Sequence, residues 1–141
     1  MPAQFLLSRA AVLLRGARLV SGRSVSWPLK VQRDGRLRSR GLRVRLYGVG
    51  EAEDAHLLSA RLNALLAGKH CRWRVVAIDG DGTLAIVVRL DRANLAAALL
   101  RDGLVGLRGW GSRPLRLAQD AAKRGRRGQW RFNDEWQAPV E

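Results

Sequence analysis

Residues 41–49 read GLRVRLYGV, so Leu42, Val44 and Leu46 fall on one face of an extended chain while Arg43, Arg45 and Tyr47 fall on the other. A period of two with one apolar face marks a half-buried β-strand. Just before it, Arg33-Asp34-Gly35-Arg36 contains an Asp-Gly pair that tolerates the positive dihedrals of a tight turn, which predicts a hairpin linking an earlier strand at residues 29–31 to this one. From Glu51 the period lengthens. Leu58, Leu62, Leu65 and Leu66 recur at helical spacing, Glu51, Glu53 and Asp54 open the stretch, and Gly68 followed by Lys69 closes it, which predicts an amphipathic helix with acids in its first turn.

Alternation returns at residues 70–78, with Cys71, Trp73, Val75 and Ala77 on one face and Arg72, Arg74 and Val76 on the other. The turn Asp79-Gly80-Asp81-Gly82 leads into an apolar strand at residues 84–90, a second hairpin. Asn94 is placed to cap a short helix over residues 95–101 that stops at Gly103, and Ser112 to cap another that begins near Pro114 and ends by Gly128. This order predicts an α+β fold with about three helices. About five short strands, with a helix inserted after the third, fit a small closed barrel.

The chain's 141 residues, 47% of them hydrophobic, suffice for one domain with a real core. Its apolar runs are far shorter than the roughly 20 residues that cross a bilayer. Cys71 is the single cysteine and reads as a small core residue; with only His56 and His70 beside it there is no zinc set, and no metal or cofactor is expected. The net charge of +14 points to a nucleic acid or an anionic membrane surface as partner. That charge is unevenly placed. Residues 1–47 hold eleven Lys/Arg against one acid, whereas residues 48–112 hold eight against seven.

Residues 1–20 contain no acid, carry Arg9, Arg15 and Arg18, and place Phe5, Val12, Leu13 and Leu19 among small residues. This is the composition of a mitochondrial targeting segment. We expect it to be retained and to dock as an amphipathic helix on a partner protein or an anionic lipid surface, ahead of a domain over residues 21–130 and an aromatic tail over 131–141.

Read in order, the domain resembles the staphylococcal nuclease family. The strand and its exit, Arg45-Leu46-Tyr47-Gly48-Val49-Gly50-Glu51-Ala52-Glu53, stand where that family has R-L-x-G-I-D-x-P-E. Ala67-Gly68-Lys69, the turn from Asp79 to Gly82, Asn94-Leu95, Leu99-Leu100-Arg101-Asp102-Gly103-Leu104 and the closing run from Ala122 to Trp130 follow at matching spacing. The resemblance implies an OB-fold barrel of five strands. It also implies a site in which aspartates hold calcium, two arginines brace a phosphate and a glutamate acts on water. Here Arg23 stands in the first aspartate motif, Gly50 at the second metal aspartate and Thr83 at one phosphate arginine. Only Arg45 and Glu53 still match, so the resemblance implies a domain that has lost most of the nuclease's catalytic groups.

Two acidic stretches invite a metal reading and are expected to do something plainer. Glu51, Glu53 and Asp54 suit the start of a helix. Asp79-Gly80-Asp81-Gly82 suits a hairpin turn, since the position where a calcium loop needs its bidentate glutamate is Leu90. Arg43, Arg45, Arg72 and Arg74, with Tyr47, form a candidate basic face on adjacent strands, for nucleic acid or for a partner. Trp110, Trp130, Phe132 and Trp136 are candidate interface anchors.

The chain is also similar to a family of mitochondrial inner-membrane proteins with a nuclease-like domain that lacks the metal aspartates. The parallels are Val44-Arg45-Leu46 before Gly48-Val49, Trp73 after the helix, Leu100 to Leu104, and Trp130 followed by Trp136. The expectation is a non-catalytic accessory subunit of a large mitochondrial assembly at the inner membrane, a respiratory-chain complex or ATP synthase, whose partners are other protein subunits. The alternatives are a nucleic-acid-binding OB protein, such as a mitochondrial ribosomal protein that binds RNA, and a working calcium-dependent nuclease.

Overall fold

The computed structural model describes residues 24–109 and 111–132. The targeting-like segment, Arg23, Trp110 and Trp136 lie outside the described residues. Among the described residues the fold is α+β, with three helices and a mainly antiparallel sheet of six strands; the sheet is not closed into the barrel expected from the strand count.

Strand β1 (Lys30–Val31) pairs with β2 (Leu37–Ser39), and β2 with β3 (Leu42–Leu46), both antiparallel. The expected hairpin is thus two hairpins. The turn at Arg33 to Arg36 joins β1 to β2, and a second turn at Arg40-Gly41, where both residues have positive φ (49° and 78°), joins β2 to β3. Paired positive φ values suit the right-handed twist of the flanking strands. Ser39 is buried and unmarked by hydrophobicity; its hydroxyl donates to the Pro28 carbonyl at 2.8 Å.

Strand β4 (Val49–Ala52) interrupts the expected run from strand to helix, so α1 (Ala55–Leu66) follows four strands rather than three. Consequently the acids do not occupy the helix's first turn. Glu51 lies in β4, Glu53 in the bend after it, and Asp54 is the cap itself, its carboxylate accepting from the amides of His56 (3.0 Å) and Leu57 (3.1 Å). A short side-chain acceptor satisfies two of the amides a helix start leaves open. Of the leucines on its apolar stripe, Leu62 is fully buried while Leu58, Leu65 and Leu66 pack at the core's edge.

In the long hairpin of β5 (Cys71–Ile78) and β6 (Leu84–Leu90), β5 ends the sheet order while β6 lies inside it and pairs parallel with β3. Strand β7 (Ala93–Asn94) turns back along β6, and Asn94 caps α2 (Leu95–Arg101) as expected, accepting from the amides of Ala96 and Ala97. A three-residue strand, β8 (Val105–Leu107), pairs with β4 to make a separate small sheet. Helix α3 (Arg113–Arg124) begins with Ser112 at its cap position, but the serine side chain makes no capping bond there. The chain then makes a short turn of 3-10 helix at Gly128–Trp130, where the Gln129 amide donates to the Gly103 carbonyl. Gly103 has φ 74°, and a side chain there would strike the Arg127 carbonyl, so only glycine lets these two segments approach. Among the described residues no helix is long and apolar enough to cross a membrane.

Trp73 holds the N-terminal part to the sheet. Its side chain is 1% exposed, its indole N–H donates to the Trp27 carbonyl at 2.9 Å, and its backbone exchanges two hydrogen bonds with Val25 (2.8 and 2.9 Å). Trp27 stands edge-on to it at 5.9 Å, and the Arg40 guanidinium lies 4.1 Å over the Trp27 ring. Cys71, beside it, is buried and unpaired, and burial pushes its thiol above the usual cysteine range, which fits a core residue. Trp73→Ala should cost about 3–5 kcal/mol, the range for emptying a buried aromatic site. Trp73→Phe, which chiefly leaves the Trp27 carbonyl unpaired, should cost about 1–3 kcal/mol. Urea unfolding of both variants checks the order; equal losses would show that the hydrogen bond, rather than the bulk of the ring, accounts for the whole cost.

Candidate functional site: a groove beside the sheet

A groove of about 1130 Å³ opens between the β1–β2 turn, β3, β4, α1 and the β5–β6 turn. It brings together Arg43, Arg45, Gly50 and Thr83, three of them positions that the nuclease resemblance singles out. Glu53, Tyr47, Arg72 and Arg74 do not line it. Register builds this site: the parallel pairing of β3 with β6 sets Arg45 opposite Ala85 and places its guanidinium at the β5–β6 turn.

There Arg45 closes on Asp79. Its Nε donates to one carboxylate oxygen at 2.6 Å and its Nη2 to the other at 2.9 Å, a two-pronged pair with side chains 28% and 32% exposed. Such a fork is among the stronger hydrogen-bonded arrangements available to an arginine. The hydrogen bond from Arg45, aided by its charge and by that of Arg108, holds the Asp79 carboxyl below its ordinary value, against the opposing effect of burial. The same hydrogen bond raises Arg45. Arg43, one rung away, donates to the Asp81 backbone carbonyl at 2.9 Å, with its carboxylate at 3.9 Å. Asp81 also accepts from the Thr83 amide, which with the neighbouring Thr83 contacts lowers its carboxyl. The Asp-Gly-Asp-Gly segment is a hairpin turn whose two acids are held by the two arginines of β3.

The rest of the groove is less tightly paired. Arg36 meets Asp34 at 3.3 Å, whereas Arg38 and Arg108 have no hydrogen bond or ion pair among the described residues. At Gly50 an added Cβ would meet only the Gly106 carbonyl at 3.6 Å and the Arg108 Cβ at 4.0 Å, ordinary contacts, so space is not what sets glycine there. Among the described residues no group of three His, Cys, Asp or Glu comes together as a metal site.

The expected basic face divides in two. Strand β6 lies between β3 and β5, so Arg43 and Arg45 are not on a strand adjacent to Arg72 and Arg74. Tyr47 is 45% exposed but sits in the turn after β3 rather than in the strand. Arg72 instead lies directly opposite Arg89, and Arg74 opposite Val87. Sequence reasoning left out Arg89, and it read Asp79 only as a turn residue and not as the partner of Arg45. Arg89 was recoverable as the charged position of an otherwise apolar strand, and Asp79 as an acid at a hairpin end.

The aromatic candidates also separate. Trp130 is half-buried with the Lys123 ammonium 4.6 Å over its ring, so its face is already used within the chain. Phe132 is 80% exposed, with the Arg131 guanidinium 5.0 Å away.

Compared with known proteins, the chain matches no family model and no curated protein.

Two outcomes test this electrostatic picture. Because Asp79 is depressed in the folded chain, it adds stability that is present above the ordinary aspartate range near pH 4 and is lost as pH falls through its lowered value. Asp79→Asn should therefore cost about 1–2 kcal/mol at pH 7, with the gap from the parent chain closing below about pH 4. A gap independent of pH, followed by urea unfolding from pH 7 to pH 3, would contradict it. Separately, Arg72→Gln removes a like charge directly opposite Arg89 and should raise stability by about 0.2–0.5 kcal/mol in low salt. The gain should vanish in molar salt.

Proposed function

We propose that the chain is a non-catalytic module with a staphylococcal-nuclease-like OB barrel, acting as an accessory subunit of a large mitochondrial assembly at the inner membrane. The observation that carries the non-catalytic part is the closure of Arg45 on Asp79. In the nuclease reading Arg45 is the phosphate arginine that survives, and here both prongs of its fork already hold a carboxylate. A phosphate recruited to Arg45 meets only the donors that Asp79 leaves, beside a carboxylate that repels it. With Gly50 at the second metal position and Thr83 in place of the other arginine, the groove retains the outline of a nuclease site and little of its chemistry.

The barrel reading draws support from the strand order β1-β2-β3-β6-β5 together with the Val25–Trp73 bridge, which links the chain just ahead of β1 to the far edge at β5. Mitochondrial residence, the respiratory-chain or ATP synthase setting and inner-membrane association rest on the acid-free, arginine-rich residues 1–20 and on the second family resemblance. Phe132 supports the subunit role, since an aromatic 80% exposed is the residue type that anchors interfaces.

The reading is checked in two assays. Purified full-length chain with calcium should release no acid-soluble nucleotide from single-stranded DNA or RNA. Calcium-dependent cleavage that disappears in Glu53→Gln would falsify the non-catalytic assignment. On native gels of detergent-solubilised mitochondria, the protein should migrate in a complex many times its own 15.6 kDa. Migration as a free monomer would remove the subunit role.

A further inference from the structure

We propose that the outer face of the β5–β6 hairpin, centred on Arg72, Arg74 and Arg89, docks an acidic segment of a protein partner. This rests on the accessory-subunit reading and gives the partner's chemistry. Antiparallel register sets Arg72 directly opposite Arg89, with Arg74 the next outward residue along β5. Opposed positions place Cβ atoms about 5 Å apart, and diagonal ones roughly 7–8 Å. All three side chains are exposed, and none has a hydrogen bond or ion pair among the described residues. Two like charges held opposite each other oppose the pairing of the strands that carry them. An anion placed between them turns that repulsion into attraction. Arginine's planar fork, unlike the point charge of lysine, grips an oxyanion through two parallel bonds.

Three features favour carboxylates over a nucleic-acid backbone. The patch is short: further along the sheet the next cations, Arg43 and Arg45, are engaged by Asp81 and Asp79, and a long polyanion following the hairpin would run into those two carboxylates. No described aromatic stands on this face to stack a base, because Trp73, the aromatic of β5, points into the core. Beside the arginines the face turns apolar, with half-buried Val87 directly opposite Arg74. An extended peptide with acids two residues apart presents its carboxylates at about 7 Å. That matches the diagonal of the arginine set and leaves the peptide's next side chains over Val87.

The test uses the full chain and fluorescence anisotropy with four labelled probes: a ten-residue peptide alternating glutamate and alanine, its lysine counterpart, a 20-nucleotide single-stranded RNA and a 20-base-pair RNA duplex. The glutamate peptide should bind, and Arg72→Gln with Arg89→Gln should weaken it about tenfold or more. Arg38→Gln with Arg43→Gln should leave it unchanged. Arg72→Glu with Arg89→Glu should reverse the preference to the lysine peptide, with circular dichroism establishing that each variant is folded. Glutamate-peptide binding indifferent to the Arg72 and Arg89 changes, or either RNA held through these arginines more tightly than the peptide, would overturn the proposal. Native-gel migration separates the two readings. A large complex without peptide binding sinks this inference alone, and a free monomer that still binds the peptide through Arg72 and Arg89 sinks only the subunit role.

Discussion

A buried indole must find an acceptor for its N–H, and in this chain Trp73 finds it in the backbone of a different part of the structure. The Trp27 carbonyl is fixed to Trp73 by the side chain, while Val25 is fixed to it by two backbone bonds, so residues 25 to 27 have almost no freedom once Trp73 is in the core. Pro28 is then tied through its carbonyl to Ser39, and Arg40 covers Trp27. From that anchored start the chain reaches β1 two residues on. A single large side chain thereby fixes the chain just ahead of β1 against β5, while β1 itself pairs with β2.

The same economy governs the charges. Twenty-six Lys/Arg stand against twelve acids, so carboxylates are the scarce partner and where they are placed decides which arginines remain available. Three of those lining the groove are taken by Arg36, Arg43 and Arg45, the last of them through both oxygens. This makes the groove less attractive to phosphate than a count of its arginines suggests, since a bound anion gains only what it gains over the carboxylate it replaces. Positive charge without a carboxylate partner among the described residues includes Arg72, Arg74 and Arg89 on the outer face of the β5–β6 hairpin and Arg38 on the groove's rim. A chain can thus be strongly basic overall and nearly neutral within its groove.

Sequence pattern was a good guide where periodicity ran long. The inward faces of β3 and β5, the helix over Leu58 to Leu66, and the Asn94 cap all follow from spacing alone, because each is driven by burial of one repeated face. It failed for β2, β4 and β8, each three or four residues long and so too short to show a period, and β4 and β8 are held by each other across a long stretch of chain. Missing β4 had a consequence for the site. Glu51, Glu53 and Asp54 look like one acidic helix start, yet the strand separates them into a groove wall, an exposed bend and a cap, so neither a shared dipole role nor a metal cluster arises. Asp79 was legible as a turn residue but not as the partner of Arg45, since nothing local announces that β3 and β6 will run side by side in parallel.

The arginine pair at the far end of the hairpin shows how a sequence can contain a constraint without displaying its solution. A plain hairpin closing at Ile78 opposite Leu84 would continue so that Trp73 faced Arg89. Opposed residues share a face, so that register would demand either an indole in solvent or a guanidinium in the core. The hydrophobic pattern on both strands forbids each. One extra residue on β5 resolves the conflict, and the bulge between Val75 and Ala77 supplies it, moving Trp73 opposite Val88 and Arg72 opposite Arg89. Core packing therefore sets the parity of the register, and in the register adopted the two arginines share the outer face directly opposite each other. A repulsive pair imposed by the core is a lasting feature of the surface. It gives an anionic partner a fixed pair of forks to meet, at a place where no carboxylate pairs with them among the described residues.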